Sequence, residues 1–146
     1  MGSPHRVERL DHVQLAMPAD AEDRATDFYE SVLGIPRVPK PAQLAARGGC
    51  WFERDGLRVH LGVEEDFRPA RKAHPALAVT GIDALCAALE AAGHPVRRAE
   101  DVPGQPQFYV DDPFGNRIEL VPDGAGSAPP AREAAGAAAS PVSGKG

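Results

Sequence analysis

The feature that most limits how this chain can fold is an internal repeat, a unit of about 60 residues written twice. Leu10-Asp11-His12-Val13-Gln14-Leu15-Ala16-Met17 opens the first copy and Ala73-His74-Pro75-Ala76-Leu77-Ala78-Val79 opens the second. Each is a short apolar run with a histidine near its start, followed by turn signals and then a helical pattern. Alternate side chains of a strand share a face. His12, Gln14 and Ala16 therefore point one way, and Val13, Leu15 and Met17 the other. In the second copy His74, Ala76 and Ala78 oppose Pro75, Leu77 and Val79.

The rest of each copy follows one order: strand, helix, strand, strand, strand. After Pro18, Asp20 is the expected N-cap, with Glu22 and Asp23 suiting the helix dipole in the first turn. Ala25, Phe28, Tyr29, Val32 and Leu33 recur at helical spacing, and Gly34 suits the residue past the helix end. Residues 35–49, broken by prolines and glycines, predict a short irregular strand and a loop. Cys50–Glu53 and Leu57–Val63 read as strands joined by the hairpin signal Asp55-Gly56. On the second of these, Arg58, His60 and Gly62 share a face. Residues 64–72 form a charged linker. In the second copy, strand 73–79 is followed by a helix from Ile82 to Ala92, ended by Gly93 with Pro95 beyond. Strands 96–99, 107–110 and 117–121 complete it, with a turn at Asp111-Asp112-Pro113-Phe114-Gly115-Asn116. From Asp123 the chain turns to alanine, glycine, serine and proline, which predicts a disordered tail over 123–146. The expected organisation is a flexible 1–8, one domain over 9–122 made of modules 9–64 and 73–122, and that tail.

Aligning the two closing hairpins sets His60 opposite Glu119. Helices must cover one face of each small sheet, so the polar residues lie on the other. Modules packed side by side would join those faces into a trough. Partly buried imidazoles and carboxylates need partners, and one divalent ion would satisfy several together. Histidines with a carboxylate suit Fe(II), Mn(II), Ni(II), Co(II) or Zn(II). Gln14 shares the face of His12 and is expected to line the pocket. Trp51 and Arg68, together with Arg47 and Lys72, are candidates for holding an aromatic or anionic substrate. Tyr109 and Phe108 alternate on a strand, and Tyr109 would bring a hydroxyl near the metal if it faces inward. His94 reads as a turn residue, and Asp112, Pro113 and Gly115 as turn chemistry.

Composition excludes some alternatives. The formal net charge is −5, which argues against nucleic acid as a partner. No run approaches the ~20 apolar residues of a membrane helix. The N-terminus has no apolar h-region of a secretory signal. Cys50 and Cys86 fit neither a disulfide framework nor a zinc motif and are expected as small buried residues. A cytoplasmic setting follows as the expectation.

Four stretches resemble the vicinal oxygen chelate superfamily, which holds glyoxalase I, extradiol dioxygenases, fosfomycin-resistance proteins and bleomycin-binding proteins. They are Leu10-Asp11-His12-Val13-Gln14-Leu15; Phe28-Tyr29 with Leu33-Gly34; His74-Pro75-Ala76-Leu77-Ala78-Val79; and Asp112-Pro113-Phe114-Gly115-Asn116-Arg117-Ile118-Glu119. The last is the most specific, and the resemblance covers residues 9–122. It implies an α+β fold in which two βαβββ modules form a cupped mixed sheet around one divalent metal ion. It also implies ligands from the first and last strand of each module, which here are His12, His60, His74 and Glu119. The usual glyoxalase I has glutamate where this chain has His60. Three-ligand members use only the positions of His12, His74 and Glu119.

The resemblance implies a small metal-dependent enzyme whose substrate reaches the metal through two adjacent oxygens, an isomerase, lyase or dioxygenase. Glu119 can then double as a proton shuttle. It also implies a homodimer acting on a small molecule. The alternative is a metal-free protein that sequesters a small molecule, as bleomycin-resistance proteins do.

Overall fold

The computed structural model describes residues 2–123; the tail expectation otherwise lies outside the described residues. Module one holds β1 (Val13–Met17), α1 (Glu22–Thr26) continuing as a π-helical segment (Asp27–Val32), β2 (Arg37–Val38), α2 (Ala42–Ala45), β3 (Cys50–Arg54) and β4 (Leu57–Val63). Module two holds β5 (Ala76–Val79), α3 (Ile82–Ala91), β6 (Arg97–Val102), β7 (Gln105–Asp111) and β8 (Arg117–Pro122). The sheets run β1-β4-β3-β2 and β5-β8-β7-β6, so the βαβββ modules match strand for strand. In each, the first strand is parallel to the last and the remaining pairs are antiparallel. A parallel pair needs a long crossover, and the helix and two intervening strands supply it.

The Asp55-Gly56 turn sets the register of module one. Both residues have positive φ, 49° and 85°, as a tight hairpin whose twist matches its strands requires. That register pairs Trp51 with His60 and Glu53 with Arg58. Across the parallel pairs, Gln14 faces His60 and Ala76 faces Glu119. His12 and His74 each sit two residues before those partners, so the two modules superpose His12 on His74 and His60 on Glu119.

Several boundaries differ from expectation. β5 starts at Ala76 rather than Ala73, because Pro75 has no N–H to join a ladder; only its carbonyl pairs, with the Glu119 N–H at 3.0 Å. β1 starts at Val13, leaving Leu10 largely exposed. Asp20 does not cap α1. It takes a left-handed φ of 59°, Ala21 occupies the cap without a side-chain bond, and the Glu22 carboxylate instead accepts the Gly49 N–H at 2.9 Å. Residues 42–45 form a short helix where a loop was expected. β6 and β7 extend beyond expectation, with an irregular register between Ala99 and Val102.

The core lies between helices and sheets. Met17, Phe28, Tyr29, Phe52 and Leu61 fill it in module one, and Leu89, Val110, Ile118 and Leu120 in module two. Phe28 and Tyr29 are neighbours, yet both are fully buried. They stand at i+3 and i+4 from Ala25, positions that share one helix face, and the turn after them widens, with Leu33 N–H bonded to the Phe28 carbonyl at 3.0 Å.

The Asp112–Asn116 turn does more than reverse the chain; it joins the modules. Asp112 is buried, and its Oδ1 accepts the N–H groups of Phe114 (2.9 Å) and Asn116 (2.8 Å). Its Oδ2 accepts Tyr29 Oη–H at 2.7 Å and Asn116 Nδ2–H at 2.9 Å. Asn116 Nδ2 also donates to the Ala16 carbonyl of β1 at 2.7 Å. His94 packs edge-on against Phe28, with centroids 4.9 Å apart. The linker is tied down as well, Phe67 against Phe114 and Pro69 where a side chain at Gly115 would fall.

Candidate functional site

The apolar faces of β1, β4, β5 and β8 enter the core, which leaves their histidines and carboxylate on the opposite face, as strand periodicity requires. There the four candidate ligands stand as two pairs. In module one, His60 is buried in an aromatic column. Trp51 stacks on it at 4.1 Å with planes 5° apart, and His12 stacks at 4.5 Å and 24°. In module two, His74 Nε2 lies 3.4 Å from Glu119 Oε1, and Tyr109 Oη donates to that same oxygen at 2.9 Å. Tyr109 is thus the inward residue of its strand. Arg117 and Arg97 lie over its ring at 4.9 and 5.2 Å. Among the described residues no three His, Cys, Asp or Glu side chains gather closely enough to hold a metal ion.

Hydrogen bonding distinguishes the three imidazoles. Carboxylates and carbonyls only accept, so the ring nitrogen facing one carries the hydrogen. His12 donates from Nδ1 to Asp11 Oδ2 at 3.0 Å. His74 donates from Nδ1 to the Lys72 carbonyl at 2.7 Å. His12 therefore keeps Nε2 as a lone-pair donor, the arrangement that orients metal-binding histidines; His74, whose Nε2 faces the Glu119 carboxylate, does so only as the neutral ring. His60 is reversed, because its Nε2 lies 2.6 Å from Glu53 Oε2. In module two, His74 Nε2 and Glu119 Oε1 face each other across 3.4 Å. A ring proton makes that contact a hydrogen bond, and a cation in the proton's place would be held by the same two atoms. The donor set of module two thus fits one edge of a divalent ion, and His12 offers a further donor of the same kind.

The edges of β1 and β5 border two clefts. One, of about 420 Å³, is lined by His12, Val13, Arg58, His74 and Leu77 among others. The second, of about 510 Å³, includes Gln14, Glu64, Arg68, His74, Asn116 and Arg117. His74 borders both. The Gln14 amide lies over Gly62, where an added Cβ would come within 2.6 Å of it. Trp51 supports His60, while Gln14 and Arg68 border the second cleft.

Electrostatics follow from these contacts. The hydrogen bond from His12 holds the Asp11 carboxyl below the usual range, with Arg58 adding to the effect. The bond to Glu119, then burial, raises the Tyr109 phenol and keeps it a donor. Burial foremost, then Asp112, pushes Tyr29 well up. Burial lifts the Cys50 thiol to about 11, so it is an inert core group. Sequence patterns had not singled out Asp11, Arg58 or Glu53. The Asp55-Gly56 register signal would have placed Glu53 opposite Arg58 and on the face of Trp51.

Residues 9–120 match the Glyoxalase/Bleomycin resistance protein/Dioxygenase superfamily. A solved Bacillus anthracis protein assigned to the glyoxalase family is 41% identical, with a TM-score of 0.78 over 84% of this chain and 100% of that one. A glyoxalase/dioxygenase from Nostoc punctiforme shares 20% identity and a TM-score of 0.67 over 85% and 97%. The fosfomycin resistance protein FosX of Listeria monocytogenes shares 15% and a TM-score of 0.65 over 82% and 97%. No curated protein matches the chain. Among the described residues no helix is long and apolar enough to cross a membrane.

Proposed function

Because the chain belongs to the glyoxalase/bleomycin resistance protein/dioxygenase superfamily, we propose that it is a small divalent-metal-dependent enzyme acting on a substrate that offers two adjacent oxygens. The observation that carries this reading is the convergence of His74 Nε2 and Glu119 Oε1 at 3.4 Å, where a divalent ion can replace the ring proton. His74, Glu119 and His12 would hold the ion, whose chemistry is that of a Lewis acid polarising a carbonyl or stabilising an enolate. His60 stands outside the set, since its Nε2 is given to Glu53.

The chain's own residues supply the rest. Glu119 accepts a proton from the substrate carbon at its second oxygen while Tyr109 steadies the first. Tyr109 stays protonated and can pass a hydrogen bond to a substrate oxygen. Gln14 and Arg68 border the larger cleft beside His74 and orient the substrate there. Trp51 keeps His60 and His12 in their column. The protein acts as a homodimer in the cytoplasm in this reading. β1 and β5 each pair on one side only, and two copies exchanging modules would bring the His12 pair of one against the His74 pair of the other.

Metal analysis by mass spectrometry on anaerobically purified protein tests the reading. Near-stoichiometric iron, manganese, nickel, cobalt or zinc is expected, lost in both His74→Ala and Glu119→Ala. Protein that takes up no divalent ion on titration would overturn it. The aromatic column would then support the second reading, a metal-free binding protein that sequesters a planar small molecule.

A further inference from the structure

Five side chains of module one close into a ring. Arg58 sits on β4 opposite Glu53 of β3, and its Nε lies 3.8 Å from Glu53 Oε1. Its Nη1 donates to Asp11 Oδ1 at 3.0 Å. The second oxygen of Asp11 takes His12 Nδ1 at 3.0 Å, and the second oxygen of Glu53 takes His60 Nε2 at 2.6 Å. The stack of His12 on His60, at 4.5 Å, completes the circuit.

We propose that Arg58 is a positioning residue: by donating to Asp11 while its charge stands beside Glu53 it fixes the tautomer of His12 in the stack on His60 and so turns His12 Nε2 outward. The inference rests on the metal reading for the use of His12, but not for its orientation. Stability alone is a weak reason for such a ring. Asp11 is 60% exposed and Arg58 38%, and ion pairs at that exposure stabilise little. Orientation is a better one. Asp11 precedes β1 and has no ladder to hold it; Arg58 donates to it at 3.0 Å while Arg9 Nη2 stands farther off at 3.7 Å, so without Arg58 its carboxylate can rotate away from His12. A guanidinium presents donors in a rigid fork and can engage two carboxylates in fixed directions, which an ammonium cannot. His74 needs no such device, because a main-chain carbonyl holds its Nδ1. It is therefore an internal control within the same chain.

The test uses the full chain, metal-free, with nitrogen-labelled histidine. Long-range proton–nitrogen NMR at mildly alkaline pH reads which ring nitrogen carries the hydrogen. Hydrogen on Nδ1 of His12 and His74, and on Nε2 of His60, is expected in the unaltered chain. Arg58→Met keeps the stem and removes the fork. It should convert His12 to a mixture of tautomers, leave His74 unchanged, and weaken Co(II) binding about tenfold, the scale seen when the outer partner of a ligating histidine is lost. Arg58→Lys should fall between the two. Glu53→Gln should disturb His60 first, and it serves if Arg58→Met fails to fold. A His12 tautomer unchanged in Arg58→Met, or a change shared equally by His74, would overturn the proposal. If the unaltered chain binds no Co(II), the metal reading fails, and the tautomers still decide the role of Arg58.

Discussion

The two modules share a backbone plan and put it to different uses. Their strand orders and registers coincide, so residues pair off: His60 with Glu119, Trp51 with Tyr109, Glu53 with Asp111, Gln14 with Ala76, Gly62 with Val121. Module one fills its polar face. Three rings stack, carboxylates hold two of them, and the side chain of His60 is only 6% exposed. Module two has no such column: His74 and Glu119 meet directly and are 24% and 15% exposed, whereas His12, the counterpart of His74, stands 43% exposed at the rim of its column. The difference teaches that the repeat dictates where side chains stand, while a few substitutions decide whether a position is locked by neighbours or left available to a ligand.

The comparison holds only while the modules stay docked, so the largest effect is expected at the joint. Asp112→Ala would strand the Tyr29 hydroxyl, two backbone N–H groups and the Asn116 amide. A loss of about 3 kcal/mol or more is expected, read by denaturant unfolding, and a loss below about 1 kcal/mol would show that the joint lies elsewhere. Next comes Gly62→Ala, whose methyl meets the tip of the exposed Gln14 side chain; the amide can swing aside, so the cost should be roughly 1 kcal/mol. Adding Gln14→Ala imitates the Ala76 arrangement of module two and should recover most of it, a coupling seen only between residues in contact. Equal loss with and without Gln14→Ala would refute the pairing.

No larger at neutral pH is Tyr29→Phe, at about 1 kcal/mol. Its signature is its pH dependence. Burial holds the Tyr29 phenol well above its ordinary value, so folding favours the protonated ring. That contribution is complete below the ordinary phenol pKa of ~10 and is lost as pH rises toward the raised value. Thermal melts of the unaltered chain should therefore fall steeply above pH ~10, and Tyr29→Phe should flatten that limb. An unchanged limb would assign it to another group.

Much of this was legible in the chain. The doubled histidine-bearing strands gave the modules, and Asp55-Gly56 gave a register that already paired Trp51 with His60. The Asp112–Asn116 turn aligned His60 with Glu119. What escaped depended on distances across the fold. Period-two patterns say which face a side chain takes, not which neighbour it meets, so the ring through Asp11, Arg58 and Glu53 was invisible. The division of the ligand candidates into pairs was invisible for the same reason. Asp20 misled because capping preference assumes an extended backbone, whereas here the residue turns left-handed and Glu22 serves Gly49 instead.

The π-helical segment Asp27–Val32 amounts to one extra residue lodged in a helix. Removing any single residue there would let regular α turns close. Side chains on either side of the cut would keep their faces, because the wide turn absorbs one residue without rotating the flanking helix. What would be lost is the wide turn itself, marked by the bond from Leu33 N–H to the Phe28 carbonyl. The extra residue is absorbed where it lies, so sequences can be compared across this stretch only by counting residues as well as by matching types.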